Sequence, residues 1–183
     1  MNIKIIKPTP FGSVGIVWTE TNRVPKTVRI FLSSPGLSAE ERLGAFCSSL
    51  QVSSCADIDN LAGAIKGFLE GDDVRFSLNA VSLELCTRFQ QRVLRAEHRI
   101  PRGCVSTYKL IAQHLGKTNG ARAVGNALAA NPFPLIVPCH RAIRSDGTLG
   151  GFQGGLNMKA ALLEREGILL DGRGRVAGAK YYY

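Results

Sequence analysis

At 183 residues, 45% of them hydrophobic and 20% charged, the chain has an ordinary globular composition, with room for one large domain or two small ones. It has no apolar run of membrane-span length, no signal-peptide stretch in "MNIKIIKPTP" and no C-x-x-C pair among its five scattered cysteines; these absences predict a soluble intracellular protein and argue against a disulfide framework or a zinc ribbon. The net charge of +9 lies wholly in residues 80–183, fifteen basic against six acidic, while residues 1–79 hold eight of each. That asymmetry suggests a polyanion-binding module following a neutral one, the alternative being a well-solvated basic surface.

The first part, residues 1–79, reads as α/β. "GSVGIVWTE" and "KTVRIFLSS" are β-rich runs bounded by Gly, Pro and Asn, so they predict two strands joined by a turn. "SAEERLGAFCSSL" and "DIDNLAGAIKGFLEG" predict helices. In the second, Ile58, Leu61, Ile65 and Phe68 or Leu69 share a face, and Gly71 supplies the stop. "DVRFSLNAV" reads either as a last strand or as a linker. A Cys47–Cys55 bridge is open, against two independent reduced thiols.

The second part, residues 80–172, reads as mostly helical, followed by a tail at 173–183 that is either loose or against a partner. Ser82 is placed to cap a helix carrying Leu85, Phe89 and Val93 and ending near "RIPRG"; Ser106 is placed to cap the next, with Leu110, Ile111 and Leu115 as its apolar stripe. The connection "GKTN" leads into "GARAVGNALAA", which Asn131-Pro132 ends. Helix, short turn, helix is the shape of a helix-turn-helix, a shape shared by many α-rich domains. Ala121, Ala123, Gly125, Ala127, Ala129 and Ala130 leave almost no bulk around Arg122. Such a helix can bring its backbone close to a narrow groove with one Arg to insert, or it can pack closely on another helix with Arg122 in solvent.

The stretch "NPFPLIVPCHRAIRS" places Cys139 after an apolar run and beside His140, Arg141 and Arg144. No other Cys or His stands at zinc-ligand spacing. Two readings remain: a buried structural thiol, or a nucleophile whose pKa is lowered by the neighbouring charge. In an extended chain His140 would point away from Cys139, so a bend or a bridging water is needed, and a carboxylate from elsewhere should orient the imidazole.

"RAVGNALAANPFPLIVPCHR" resembles the signature of the O6-alkylguanine-DNA alkyltransferases. The resemblance extends over roughly residues 85–168, through "TYKLIA" before the turn and "GGFQGGLNMKAALLEREG" after the cysteine, while "TPFGSVGIVW" is similar to the family's variable N-terminal domain. It implies a fold of two domains in the α+β class: a ribonuclease-H-like N-terminal domain with a small antiparallel-containing sheet, and a winged-helix-like C-terminal domain. It also implies a DNA repair protein that flips O6-alkylguanine out of duplex DNA and moves the alkyl group irreversibly onto its own cysteine. Activity on O4-alkylthymine stays open. The partner is double-stranded DNA, no cofactor or metal is needed, and the protein acts as a monomer.

By the same resemblance Cys139 is the acceptor, His140 the base acting through water, and Glu166 the carboxylate orienting the imidazole. Tyr108 is the proton donor to the departing guanine, and Asn131 ties the recognition helix to the active-site segment. Arg122 is the finger that fills the vacated stack from the minor groove. Ala121, Ala123 and Gly125 allow the close approach, and Lys109, Lys117, Ser145 and Gln90 are further DNA contacts. Pro134, Val137, Phe152, Gln153 and Gly154 line the substrate pocket; Phe152 and Gln153 stand where many relatives carry a tyrosine and a small polar residue. A non-catalytic sensor of alkylated DNA would have lost the cysteine. A methylation-switched regulator would need a further DNA-binding module, and a cysteine hydrolase would have no use for the basic half.

Overall fold

The structure, a computed structural model, describes residues 1–47, 49 and 51–183. It is α+β, with two compact units: Met1–Leu85 with Pro132–Pro134, and Cys86–Asn131 with Leu135–Tyr183.

In the first unit β1 (Asn2–Ile6), β2 (Val14–Thr21) and β3 (Val24–Leu32) form an antiparallel meander, and β4 (Gln51–Val52) joins β1 in parallel, giving the order β3-β2-β1-β4. Asn22 and Arg23, at φ 51° and 62°, make the tight left-handed turn that matches the twist of the flanking strands. β1 was not among the elements expected from the sequence. Its burial follows no strict alternation, so period-2 reasoning has little to find in "NIKII".

The helix α1 (Ala39–Phe46) opens with a capping box, Ser38 and Glu41 each satisfying the other's backbone N–H. It lies directly on the sheet. A Cβ on Gly15 would come within 2.6 Å of Leu43 Cδ1, so glycine at this point of β2 lets α1 seat. Ile3, Val17, Phe31, Ala39 and Leu43 close the core on that side. The helix α2 (Ala56–Glu70) buries Ile58, Ala62, Ile65, Phe68 and Leu69 and ends at Gly71, φ 118°, close to the expected stripe and stop.

"DVRFSLNAV" is irregular up to a 3₁₀ turn at Leu78–Ala80, so it is a linker rather than a strand. Its end is held on β3, where Thr27 accepts a backbone bond of 2.8 Å from Ser82 N and Asn79 O accepts one from Lys26 Nζ. These bonds carry the first unit past residue 79, the boundary expected from charge.

In the second unit α3 (Arg88–Arg99) is capped by Thr87, whose side chain accepts from Gln90 N. Ser82 does not cap it, because its backbone is tied to Thr27, and Leu85 is 66% exposed rather than on the helix's buried face. The strand β5 (Cys104–Thr107) leads into α4 (Tyr108–His114), where Thr107 rather than Ser106 is the cap, accepting from Leu110 N at 3.0 Å. Ser106 is instead a strand residue paired opposite Ala142. Gly116, φ 73°, ends α4, and α5 (Ala121–Ala129) follows.

Beyond a buried run and a 3₁₀ turn at Cys139–Arg141 come β6 (Ala142–Ile143) and α6 (Leu156–Arg165). β7 (Leu169–Leu170), β8 (Val176–Ala177) and β9 (Lys180–Tyr181) complete the chain. β5 is the middle strand of the order β6-β5-β9 and parallel to both neighbours. Val105, Ile143, Leu149, Leu163 and Ile168 form a core around it. Residues 173–183 pack here: β8 pairs with β7, β9 pairs with β5, and Tyr183 donates its hydroxyl to Ala96 O while stacking on His114. All five cysteines are free thiols, so Cys47 and Cys55 form no bridge.

Candidate active site

The register of β5 against β6 builds the site. Ser106 pairs with Ala142 and Thr107 with Ile143 in parallel, so the Cys139–Arg141 turn lies at the end where β6 begins and Tyr108, at the start of α4, lies at the end where β6 finishes. The chain reaches that turn through residues 131–138, all buried, with Leu135 held at φ 74°. A β-branched or bulky side chain at positive φ is strained, and such strain persists only where surrounding packing imposes it. Pro138, at ψ 60°, then turns the chain out of an extended path. The segment is therefore bent at Cys139, not extended as a strand would be, which removes the expected opposition of Cys139 and His140 across a strand.

Asn131 reaches back across the run. Its Nδ2 donates to Val137 O at 3.2 Å and to Cys139 Sγ at 3.3 Å. The amide thus both braces the segment and contacts the sulfur. His140 Nε2 and Glu166 Oε1 are 2.9 Å apart, with both side chains buried. Glu166 also takes two bonds from Arg141, Nε to Oε2 at 2.8 Å and Nη2 to Oε1 at 2.7 Å, while Arg141 Nη1 donates to Ile100 O at 2.6 Å. Burial pushes the Glu166 carboxyl up, but the bonds from His140 and Arg141 outweigh it and bring the pKa down to about 2. Burial lowers the His140 pKa against the pull of Glu166, which keeps the imidazole a neutral base. With Nε2 committed to Glu166, Nδ1 is the ring nitrogen left for proton exchange.

One expectation is overturned. The basic neighbours were expected to lower the Cys139 pKa; instead burial raises it to about 11, only partly offset by the Asn131 hydrogen bond. Arg141 is spent on Glu166, and Arg144 is exposed. The resting thiol is neutral. Tyr108 is also neutral: burial, then the charges of Glu97 and Cys139, raise its phenol to about 12. Its hydroxyl lies against Gly150, φ 68°, where a Cβ would approach to 2.6 Å, so the loop after β6 closes on this ring only because residue 150 is glycine.

Two buried charges in this unit, Glu97 and Lys159, were not singled out from the sequence. Each interrupts an apolar helical stripe, Glu97 between Leu94 and Ile100 and Lys159 between Met158 and Leu162. A charged residue in the middle of such a stripe was the available signal. Lys159 Nζ donates to Ala142 O at 2.6 Å and more loosely to Gly151 O at 3.4 Å, clasping the turn behind Cys139 to the loop that follows.

Of the expected pocket residues, Val137 and Gly154 are buried, Phe152 and Gln153 half-buried, and Pro134 buried in the first unit. Phe152 meets the His140 ring edge to face at 6.2 Å. Gly154 leaves room for Met158, whose sulfur a Cβ there would meet at 2.1 Å. On α5, Val124 and Leu128 face inward. Arg122 and Ala123 are exposed, and Ala121 and Gly125 half-buried. Lys109, Lys117 and Ser145 are exposed. Gln90, expected at DNA, gives its amide to Ala127 O and Ala130 O at the end of α5, so its donors fasten that helix instead. A groove of about 440 Å³ lies at the turn between α4 and α5, lined by Phe89, Lys117, Asn119 and Ala123. Among the described residues no group of three or more His, Cys, Asp or Glu side chains is arranged for a metal ion, and no helix is long and apolar enough to cross a membrane.

Residues 88–168 match a family profile described as 6-O-methylguanine DNA methyltransferase, DNA binding domain. The chain is 46% identical over 116 residues to the methylated-DNA–protein-cysteine methyltransferase of Methanothermobacter thermautotrophicus, covering 63% of this chain and 65% of that protein. It is 51% identical over 88 residues to the protein of that name from Mycobacterium leprae, covering 48% and 53%. These matches span less than two thirds of the curated relatives' own length. In structure the chain is similar to the crystal structure of Mycobacterium tuberculosis OGT in complex with DNA, with TM-score 0.72 and 28% identity over 91% of this chain and 92% of that one.

Proposed function

From the match of residues 88–168 to the 6-O-methylguanine DNA methyltransferase DNA-binding domain and the likeness to methylated-DNA–protein-cysteine methyltransferases, we propose that this protein is a member of that family, a soluble intracellular DNA repair alkyltransferase acting as a monomer on duplex DNA. Its substrate is O6-alkylguanine, flipped out of the stack, and its acceptor is Cys139. One observation carries the reading: within the matched segment a buried thiol receives the Asn131 amide, beside a histidine held on a buried, ionised glutamate.

Cys139 gives up its proton toward His140 Nδ1 as the sulfur attacks the alkyl carbon. The S–C bond forms, the C–O6 bond breaks, and the electron pair passes to the guanine ring. Tyr108, a neutral phenol, donates the proton that completes the leaving base. With a thiol near pKa 11, deprotonation at neutral pH costs about 5 kcal/mol, so the proton has to leave in concert with attack rather than beforehand. Glu166 keeps Nε2 occupied, orients the ring and stabilises the imidazolium as it forms. The C–S bond of the thioether product is stable to water and thiols, so one chain acts once, with no cofactor or metal.

On DNA the exposed Arg122 enters the space left by the flipped base, while the small residues Ala121, Ala123 and Gly125 let α5 approach the minor groove. Lys109, Lys117 and Ser145 are exposed and free to meet phosphates. The order β3-β2-β1-β4, with β4 parallel to β1, supports a ribonuclease-H-like first unit; α4 and α5 followed by the β7–β8 hairpin support a winged-helix-like second unit. The test is intact-protein mass spectrometry after incubation with duplex DNA carrying O6-methylguanine. One methyl group per chain, mapping to Cys139, is the expected result. Repeated turnover, or methylation at Cys86 or Cys104, refutes the assignment.

A further inference from the structure

Glu97 is held quite differently from Glu166. It lies in the last turn of α3, 0% exposed, and neither carboxyl oxygen has a hydrogen-bond partner. A carboxylate so placed is costly, and burial accordingly raises its pKa to about 8 against the pull of Lys159 and Arg141. Lys159, on α6, is also 0% exposed; burial lowers its pKa to about 8, against the charges of Cys139 and Glu97. The groups that interact electrostatically with Glu97 are Lys159 from α6, Arg141 and Cys139 from the 3₁₀ turn, Tyr108 from α4 and Tyr183 beyond β9. Arg141 is neutralised by Glu166, which leaves Glu97 and Lys159 as the two groups that act on the thiol in opposite senses, Glu97 against ionisation and Lys159 for it.

We propose that Glu97 is a positioning residue for the Cys139 reaction: it stays protonated while the thiol reacts, so that the buried ammonium of Lys159 faces the developing thiolate without a competing carboxylate. At neutral pH the pair carries one positive charge. Above the range in which both titrate it carries one negative charge, and the field at Cys139 reverses. Nothing in the mechanism above uses Glu97. The link to alkyl transfer rests on the proposed function, whereas the coupling to the thiol does not.

The experiment follows Cys139 alkylation by iodoacetamide, read by peptide mass spectrometry, in full-length wild type, Glu97→Gln and Glu97→Leu. Both variants should react like wild type at about pH 6 and at least about threefold faster at about pH 10, since each lacks the carboxylate that opposes ionisation. A structural role alone would change the rates by the same factor at every pH, and a flat ratio overturns the proposal. In wild type, carbon-13 NMR should show the Glu97 carboxyl titrating above neutrality; titration in the ordinary carboxylate range overturns it whether or not the variants fold. Methyl transfer from O6-methylguanine duplex, measured in parallel, separates the two ideas. A pH-dependent iodoacetamide ratio without methyl transfer leaves the Glu97 coupling standing and removes the repair function, and methyl transfer with a flat ratio does the reverse.

Discussion

Replacing Glu166 with Gln tests the centre of the site, because it removes one charge and leaves nearly the same shape. The wild-type carboxyl titrates at about 2 against an ordinary 4.5, and the side chain is buried. A difference of that size corresponds to about 3 kcal/mol of stability at neutral pH. The variant also leaves the buried Arg141 guanidinium without its counter-charge, and breaking a buried pair in this way costs about 3–5 kcal/mol. The two figures describe the same interaction and are not summed. With a urea slope of about 2 kcal/mol/M for a protein of this size, the midpoint should fall by about 1.5 M. The pH dependence gives the sign. A depressed carboxyl pKa stabilises fully above 4.5, and the contribution is lost as pH falls toward 2, so wild type and Glu166→Gln should converge across that window. Urea titrations followed by circular dichroism at neutral pH and at about pH 3 measure both effects. Equal midpoints at neutral pH, or a gap that does not narrow in acid, would refute the ion-pair reasoning. In the functional arm, methyl transfer at saturating DNA should slow by about 10²–10⁴-fold with DNA affinity nearly unchanged.

Arg122→Ala should slow repair of duplex DNA strongly while leaving the reaction with free O6-benzylguanine, which needs no flipping, almost unchanged; the same duplex-to-free-base rate ratio in both proteins would reduce Arg122 to a phosphate contact. Cys139→Ser should bind alkylated duplex in a gel-shift titration as wild type does and accept no methyl group by mass spectrometry. Asn131→Ala removes the donor to Cys139 Sγ and to Val137 O, so the thiol pKa should rise further and methyl transfer at neutral pH should fall, with the deficit narrowing as pH is raised. Glu97 should add an unusual slope to stability. Its pKa is raised, so wild type loses stability as pH climbs from 4.5 to about 8, and Glu97→Leu should match wild type near pH 4.5 and exceed it by a few kcal/mol near pH 8, read from urea midpoints.

Much of the site was legible as residue order. Cys139 and His140 were marked by residue type and neighbours, whereas Asn131, Tyr108 and Glu166, spread with them over nearly sixty residues, were marked only by the resemblance to the O6-alkylguanine-DNA alkyltransferases. The stripe of α2, its Gly71 stop and a turn between the two strands also followed from local preference, because periodicity and turn-forming residues are properties of a few consecutive residues. The caps were misplaced for the opposite reason. Ser82 and Ser106 are good capping residues by type, but long-range backbone pairing to Thr27 and Ala142 claimed them, and Thr87 and Thr107 took the role.

Local sequence also misjudged the charge around Cys139. Read along the chain, Arg141 and Arg144 stand beside the thiol and should lower its pKa. In the folded unit Arg141 turns to Glu166, Arg144 faces outward, and burial governs the sulfur. Likewise Gln90, which the resemblance placed at DNA, closes the end of α5. By itself the sequence determined, through residue type and the family resemblance, which groups are candidates for the chemistry and roughly which elements carry them, since motifs and their spacing are encoded residue by residue. Only the tertiary structure decided which charge meets which, and how far each lies from water. Pairing and desolvation depend on distances between segments remote in the chain, and those two quantities set the protonation state of Cys139, Glu97, Lys159 and Glu166.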